Sequence, residues 1–210
     1  MTPLDVDTPH GLARVHLHPS EKATAALVLG HGAGGGVTSR DLVTVKDAAL
    51  EQGLTVALVE QPYRVAGRRS PAPARQLDAA WTAVLDRLSA DELRGLPVVV
   101  GGRSAGARVA CRTAEATCAI AVLCLAFPLQ PPRRVASTPQ SRLNELDAVT
   151  VPTLVVQGAN DPFGVPPPAE RRTVVLVAGN HSLRSDLPAV AAAVRQWLPG
   201  ALAPSAPLVA

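Results

Sequence analysis

The run Val98-Val99-Val100-Gly101-Gly102-Arg103-Ser104-Ala105-Gly106-Ala107-Arg108-Val109-Ala110 constrains this chain more than any other. A β-branched triplet ends in two glycines, a serine follows, and small residues then open a helix. Gly102 and Gly106 each stand two residues from Ser104, which is the Gly-x-Ser-x-Gly pattern in a strand–turn–helix context. So sharp a turn holds the serine in a strained backbone conformation. It also brings strand and helix so close that a side chain at either glycine would collide. The serine oxygen is left exposed above the sheet. The Ala105 amide, at the helix N-terminus, points at the same spot.

Such a turn needs a sheet beneath it. Apolar runs predict strands over 12–18, 25–30, 54–59, 97–101, 119–127, 153–157 and 173–177. Between them the spacing predicts helices. The first covers 39–52, with Ser39 as N-cap, Leu42, Val45 and Ala49 on one face, and Gly53 as terminator. The second covers 75–88, with a buried stripe of Leu77, Trp81, Val84, Leu85 and Leu88. A third follows Ser104 to about 116. The last covers 186–198, with Leu187, Val190, Val194 and Trp197 inward and Pro199-Gly200 ending it. The strand at 12–18 reads as an exposed edge strand carrying His16 and His18 on one face. Strand–helix alternation with continuously apolar strands implies the α/β class: a mostly parallel twisted sheet with helices on both faces. One domain is expected over 1–198, followed by a loose Pro/Ala-rich tail over 199–210.

Composition excludes several function classes. Of 210 residues, 47% are apolar, which rules out global disorder. Only five are aromatic, so the core must be built from Ala, Val and Leu. The formal charge of +3 comes with scattered arginines and no basic block interleaved with aromatics, so no nucleic-acid partner is expected. Cys111, Cys118 and Cys124 fall in apolar segments without Cys-x-x-Cys spacing and read as buried reduced thiols. Two histidines on one strand do not make a metal site, so neither metal nor cofactor is expected. The longest apolar stretch, 119–127, is too short to span a bilayer. The first residues lack the basic start and apolar run of a signal peptide. The expectation is a cytoplasmic protein, monomer or homodimer, with no membrane partner.

Ligands of parallel sheets sit at the carboxyl ends of the strands, and four notable loops fall there. They are Gly30-His31-Gly32-Ala33-Gly34-Gly35-Gly36, the Ser104 turn, Gln157-Gly158-Ala159-Asn160-Asp161-Pro162-Phe163-Gly164, and Ala178-Gly179-Asn180-His181-Ser182. Singly, each has a plainer reading: Asp161 before Pro162 fits a helix cap, and His181 fits a loop histidine bonded to backbone. Together they give serine, acid and histidine in chain order. His181 would take the serine proton as general base and return it to the leaving group. Asp161 would fix the imidazole tautomer, with Asp147 or Asp186 next in line for that role. Backbone amides of Ala105 and of Ala33, or a glycine beside it, would form an oxyanion hole. His31, Gly32, Gly34, Glu60, Tyr63, Arg64, Arg103 and Phe163 are the candidate pocket residues. Glu60 is expected to pair with Arg103 or Arg108, and an arginine on the rim would favour a carboxylate-bearing substrate.

These pieces, with Phe127-Pro128-Leu129 and Val151-Pro152-Thr153-Leu154-Val155-Val156 before Gln157, resemble the α/β-hydrolase superfamily, and within it the small dienelactone-hydrolase-like branch. The resemblance runs from about Ala25 to Trp197. It implies Ser104 as nucleophile, Asp161 as acid and His181 as base, but no substrate, because the superfamily hosts esterases, thioesterases, peptidases and members with no known reaction. Dienelactone hydrolysis itself does not follow, because enzymes with that activity typically use cysteine. The proline-rich link over 128–149 is too short for a lid domain, so an open site and small soluble acyl substrates are expected. Two alternatives stand beside this reading. One is a catalytically silent hydrolase-fold scaffold. The other is a dinucleotide-binding oxidoreductase, since Gly30-His31-Gly32-Ala33-Gly34-Gly35 also fits Gly-x-Gly-x-x-Gly, with Glu60 ending the next strand.

Overall fold

The apolar runs assemble into one eight-stranded sheet. A computed structural model describes residues 2–131 and 140–203. The strands are β1 (Leu4–Thr8), β2 (Gly11–His18), β3 (Ala26–Gly30), β4 (Thr55–Glu60), β5 (Val98–Arg103), β6 (Ala121–Leu125), β7 (Thr153–Gly158) and β8 (Arg172–Val177), in spatial order β1-β2-β4-β3-β5-β6-β7-β8. β2 is antiparallel to both its neighbours, and every pairing from β4 to β8 is parallel. The helices are α1 (Arg40–Glu51), α2 (Pro62–Val65), α3 (Ala74–Ala90), α4 (Ala105–Thr113), α5 (Leu143–Asp147) and α6 (Leu187–Leu202).

Alternation along each central strand divides the core in two. Val28, Val100, Val122 and Val155 face α3 and α4, where Leu77, Trp81, Val84, Leu85 and Leu88 form the expected stripe. Leu27, Leu29, Val99, Leu123 and Val156 face α1 and α6. Both faces of β3, β6 and β7 are buried, so these strands need no polar side and read as continuous apolar runs.

Several expectations fail for identifiable reasons. The strand at 12–18 is not an edge. A Thr8–Gly11 turn, with the Thr8 hydroxyl donating to the Gly11 carbonyl at 2.6 Å and Gly11 at φ 105°, folds Leu4–Thr8 back as the true edge strand. The charges of Asp5 and Asp7 hide that strand from a hydrophobicity reading, although Asp5 is held by Arg14 across the pair at 2.7 Å. His16 and His18 therefore lie inside the sheet and are only partly exposed. Pro199 does not end the last helix, which continues to Leu202. A proline there removes the N–H that would bond the Arg195 carbonyl. The Gln52 side chain donates to that carbonyl instead, at 2.8 Å. Of the expected tail, residues 204–210 lie outside the described residues, as do 132–139 of the proline-rich link. Ser39 precedes α1 but makes no capping bond. Cys118 is exposed, whereas Cys111 and Cys124 are buried with their sulfurs 3.4 Å apart. The short α2 and α5 escape any periodicity argument.

Candidate active site

The turn after β5 is as sharp as its sequence demands. A Cβ at Gly102 would lie 2.5 Å from the Gly30 carbonyl oxygen, and one at Gly106 would press on that same oxygen and lie 2.9 Å from the His31 carbonyl. Ser104 sits at φ 51°, ψ −105°, a conformation that L residues adopt only under constraint. Its amide is anchored to the Leu125 carbonyl of β6 at 2.9 Å.

Three side chains from distant loops meet there. The Ser104 hydroxyl lies 3.0 Å from His181 Nε2, and His181 Nδ1 lies 2.8 Å from Asp161 Oδ2. A carboxylate can only accept, so Nδ1 carries the proton and Nε2 is left to accept from the serine. The Asp161 side chain is fully buried and that of His181 is 18% exposed. Phe163 stands edge-on to the His181 ring at 4.5 Å between centroids, and its amide donates to Asp161 Oδ1 at 2.9 Å. The other acids considered are occupied elsewhere: Asp147 holds Arg172 at 2.9 Å, and Asp186 caps α6 through the Ala189 amide.

The loops that carry these groups are locked together. Gly158, at the end of β7, has no room for a Cβ, which would lie 2.7 Å from the Asn180 carbonyl carbon. The loop of the acid thus packs directly on the loop of the histidine. Arg103, next to the serine, donates through Nε to Asp41 Oδ2 and through Nη2 to the His181 carbonyl, each at 3.0 Å. Its Nη1 fills the place of a Gly32 side chain, 2.8 Å from where a Cβ would stand. Arg103 is therefore a clamp between the start of α1, the glycine-rich loop and the histidine loop. Sequence reasoning missed Asp41, and it missed Gln157, whose amide lies 2.8 Å from Asp161 Oδ2. The available signal was an amide side chain in a strand otherwise made of Thr, Leu, Val and Gly.

His31 and Tyr63 also hold the glycine-rich loop. His31 is buried; the Gln61 amide donates to its Nε2 at 3.1 Å, so Nδ1 carries the proton and donates to the Gly32 carbonyl at 2.8 Å. Burial pushes the His31 pKa below the usual histidine value. The Tyr63 hydroxyl donates to the Ala33 carbonyl at 2.9 Å, and burial drives its pKa up to about 12. Glu60 pairs with neither Arg103 nor Arg108. Its partner is His16 at 3.1 Å, while Arg108 is taken by Glu145 on α5. The cause is the β2–β4 pairing: Arg14 is directly opposite Glu60, which makes His16 its diagonal neighbour. Arg64 reaches only the Arg68 carbonyl, at 3.3 Å. Gly34 has open space where a side chain would be. Among the described residues there is no group of three or more metal-ligating side chains, and no helix is long and apolar enough to cross a membrane.

A family model for the alpha/beta hydrolase domain matches residues 23–187. The chain belongs to the α/β-hydrolase superfamily. The glycine-rich loop after β3 accordingly belongs to a hydrolase fold, and α1 begins only at Arg40, well past the loop's last glycine. No curated protein is significantly similar in sequence. Solved structures share the fold. A lidless α/β serine hydrolase from Xanthomonas campestris superposes with a TM-score of 0.75 at 19% identity, over 98% of this chain and 96% of that one. Est1E from Butyrivibrio proteoclasticus gives 0.77 at 16%, over 97% and 100%. A dienelactone hydrolase from Anabaena variabilis gives 0.73 at 19%, over 95% and 96%. Among the described residues, the connection between β6 and β7 holds only the five-residue α5.

Arg103→Met leaves the Asp41 carboxylate, 3% exposed, without its partner. Urea denaturation is expected to show a loss of about 3 kcal/mol, partly recovered by adding Asp41→Asn. His31 has its folded pKa below the unfolded one, so the folded chain binds fewer protons. Stability is then full above the ordinary value of 6.5 and declines as the pH falls through it. Denaturant titrations between about pH 7.5 and pH 5 should show that decline in the wild-type chain and a shallower one in His31→Asn.

Proposed function

We propose that the chain is a serine hydrolase that cleaves small soluble acyl esters or thioesters through an acyl-enzyme. The observation that carries this reading is the continuous hydrogen-bonded line from Ser104 Oγ through His181 to Asp161, at 3.0 and 2.8 Å. A serine hydroxyl is a weak nucleophile at neutral pH and needs an adjacent base. As its oxygen bonds to the acyl carbon, its proton passes to His181 Nε2. The imidazolium so formed is stabilised by the buried Asp161 carboxylate. Collapse of the tetrahedral intermediate expels the alcohol or thiol, which takes that proton from His181. Water, deprotonated by the same nitrogen, then releases the acid and regenerates Ser104.

The intermediate's oxyanion is assigned to the amides of Ala105 and Ala33. Ala105 opens α4, where the N–H groups lack helical partners. The Gly32 carbonyl is held by His31 Nδ1 and by the Gly35 amide at 3.1 Å. A trans peptide directs the Ala33 N–H the opposite way. One such donor is typically worth about 10²–10³ in rate. The described residues of the β6–β7 connection, with the five-residue α5 as their only helix, support small, soluble substrates. Ferulic acid, a small carboxylic acid, is bound to Est1E in a further structure of that protein.

A fluorophosphonate probe should label Ser104, and p-nitrophenyl acetate or butyrate should be cleaved faster than long-chain esters. Ser104→Ala should lose both labelling and turnover while melting as the parent does. Asp161→Asn should lower kcat by about 10⁴ through the wrong imidazole tautomer. Turnover retained in Ser104→Ala would end this reading, and a preference for long chains would end its substrate class.

A further inference from the structure

Gln157 is fully buried near the end of β7, in a strand otherwise made of Thr, Leu, Val and Gly. Its Nε2 lies 2.8 Å from Asp161 Oδ2, 2.9 Å from the Gly164 carbonyl and 3.1 Å from the Phe127 carbonyl. All three are acceptors and one is an anion. The flipped amide would turn its oxygen on all of them, so the orientation is fixed. The other half of the group makes no bond: Oε1 is buried without a hydrogen-bond partner among the described residues. An orphaned buried carbonyl costs free energy, and an apolar side chain would avoid that cost. What the amide provides in return is a donor aimed at the very oxygen that His181 Nδ1 uses, 2.8 Å away.

We propose that Gln157 is a positioning residue of the active site, one that orients the Asp161 carboxylate and moderates its pull on His181. The proposal rests on the reading of Ser104, His181 and Asp161 as the catalytic groups. Two donors on one carboxylate oxygen share its negative charge. With the Gln157 donor removed, more of that charge bears on the imidazolium, which then persists to higher pH. The general base must be neutral to act, so the acid limb of the rate profile moves upward. The charged groups against His181 are the Asp161 carboxylate at Nδ1 and the Arg103 guanidinium at its backbone carbonyl. Gln157 touches only the first. The amide also ties Asp161 to the Gly164 and Phe127 carbonyls, so it sets where the carboxylate stands as well as how strongly it attracts.

The test is the pH dependence of kcat/KM on p-nitrophenyl acetate for Gln157→Met and Gln157→Glu, with folding checked by thermal melting. Gln157→Met, similar in length but without a donor, should shift the acid limb upward by about one unit and slow the reaction roughly tenfold at neutral pH. Gln157→Glu retains a donor only while the introduced carboxyl is protonated. It should therefore add an alkaline limb that the wild-type profile lacks. A folded Gln157→Met with the wild-type rate and limb, or a Gln157→Glu with no new limb, overturns the proposal. If the wild-type chain reacts with neither fluorophosphonate nor ester, the hydrolase reading falls. NMR titration of the His181 ring still tests Gln157, and an unchanged midpoint in Gln157→Met refutes its role. Should neither variant fold, a Gln157 side-chain amide proton in the wild-type chain should shift as the ring titrates, and indifference to that titration refutes it.

Discussion

The carbonyl oxygen of Gly30 is pressed from two sides. It lies 2.5 Å from the place a Cβ would occupy on Gly102, and a Cβ on Gly106 would stand against it too. This packing of the end of β3 on the end of β5 and the start of α4 leaves no volume for a methyl group at either glycine. The chain escapes from between them only by taking Ser104 into the left-handed half of backbone space, at φ 51°. Strain of this kind persists only where surrounding structure over-determines it. Here the over-determination is the whole sheet: β3 and β5 are paired in parallel from Ala26↔Val98 to Gly30↔Gly102, and the Ser104 amide is bonded to β6. The raised serine is thus a consequence of strand register.

Raising a serine does not complete a site. The histidine and the acid arrive on the loops after β8 and β7, and no regular secondary structure aligns them. Contacts that exclude slack do so. Gly158 lets the Asp161 loop rest on the Asn180 backbone, and Arg103 joins the His181 carbonyl to Asp41 at the start of α1. The Arg103–Asp41 pair is largely shielded from water, with 20% and 3% of the side chains exposed, so its attraction is less screened than a surface pair's. The same guanidinium borders Gly32, which couples the glycine-rich loop with the loop that carries His181. A displacement of either would be felt by the other through one rigid planar group.

Much of this was legible in the residues. The five parallel-strand runs of the sheet centre, the α3 stripe and the serine turn follow from periodicity and from glycine placement. Ser104, Asp161 and His181 could be named because each follows a strand on one rim. Partnerships across the sheet were not legible. Glu60 meets His16 because β2 pairs with β4, and that pairing depends on a hairpin whose first strand, Leu-Asp-Val-Asp-Thr, looks too polar to be one. The bonding partners of His31, Tyr63 and Arg103 were hidden for a related reason. A polar residue beside a catalytic loop is equally compatible with touching a ligand and with holding the loop. The partners these side chains do have, the carbonyls of Gly32, Ala33 and His181, appear only in the folded structure.

The distribution of unmet polar groups sharpens that distinction. Among the described residues the buried side-chain atoms without partners are Ser39 Oγ, Gln61 Oε1, Arg64 Nε, Trp81 Nε1 and Gln157 Oε1. Four of them belong to segments at the carboxyl ends of β3, β4 and β7. The fifth belongs to the indole whose ring lies 3.3 Å from where Gly30 would carry a Cβ. A core optimised for stability alone would replace such groups with hydrocarbon or complete their bonds. At Gln61, Arg64 and Gln157 one polar atom of the side chain is bonded while another is left without a partner. Gln157 shows the trade-off most plainly, because its amide and its carbonyl meet opposite fates within one side chain. A local departure from the rules of packing is expected where a structure serves chemistry rather than its own stability. In this chain the departures surround the three residues that the serine turn brings together.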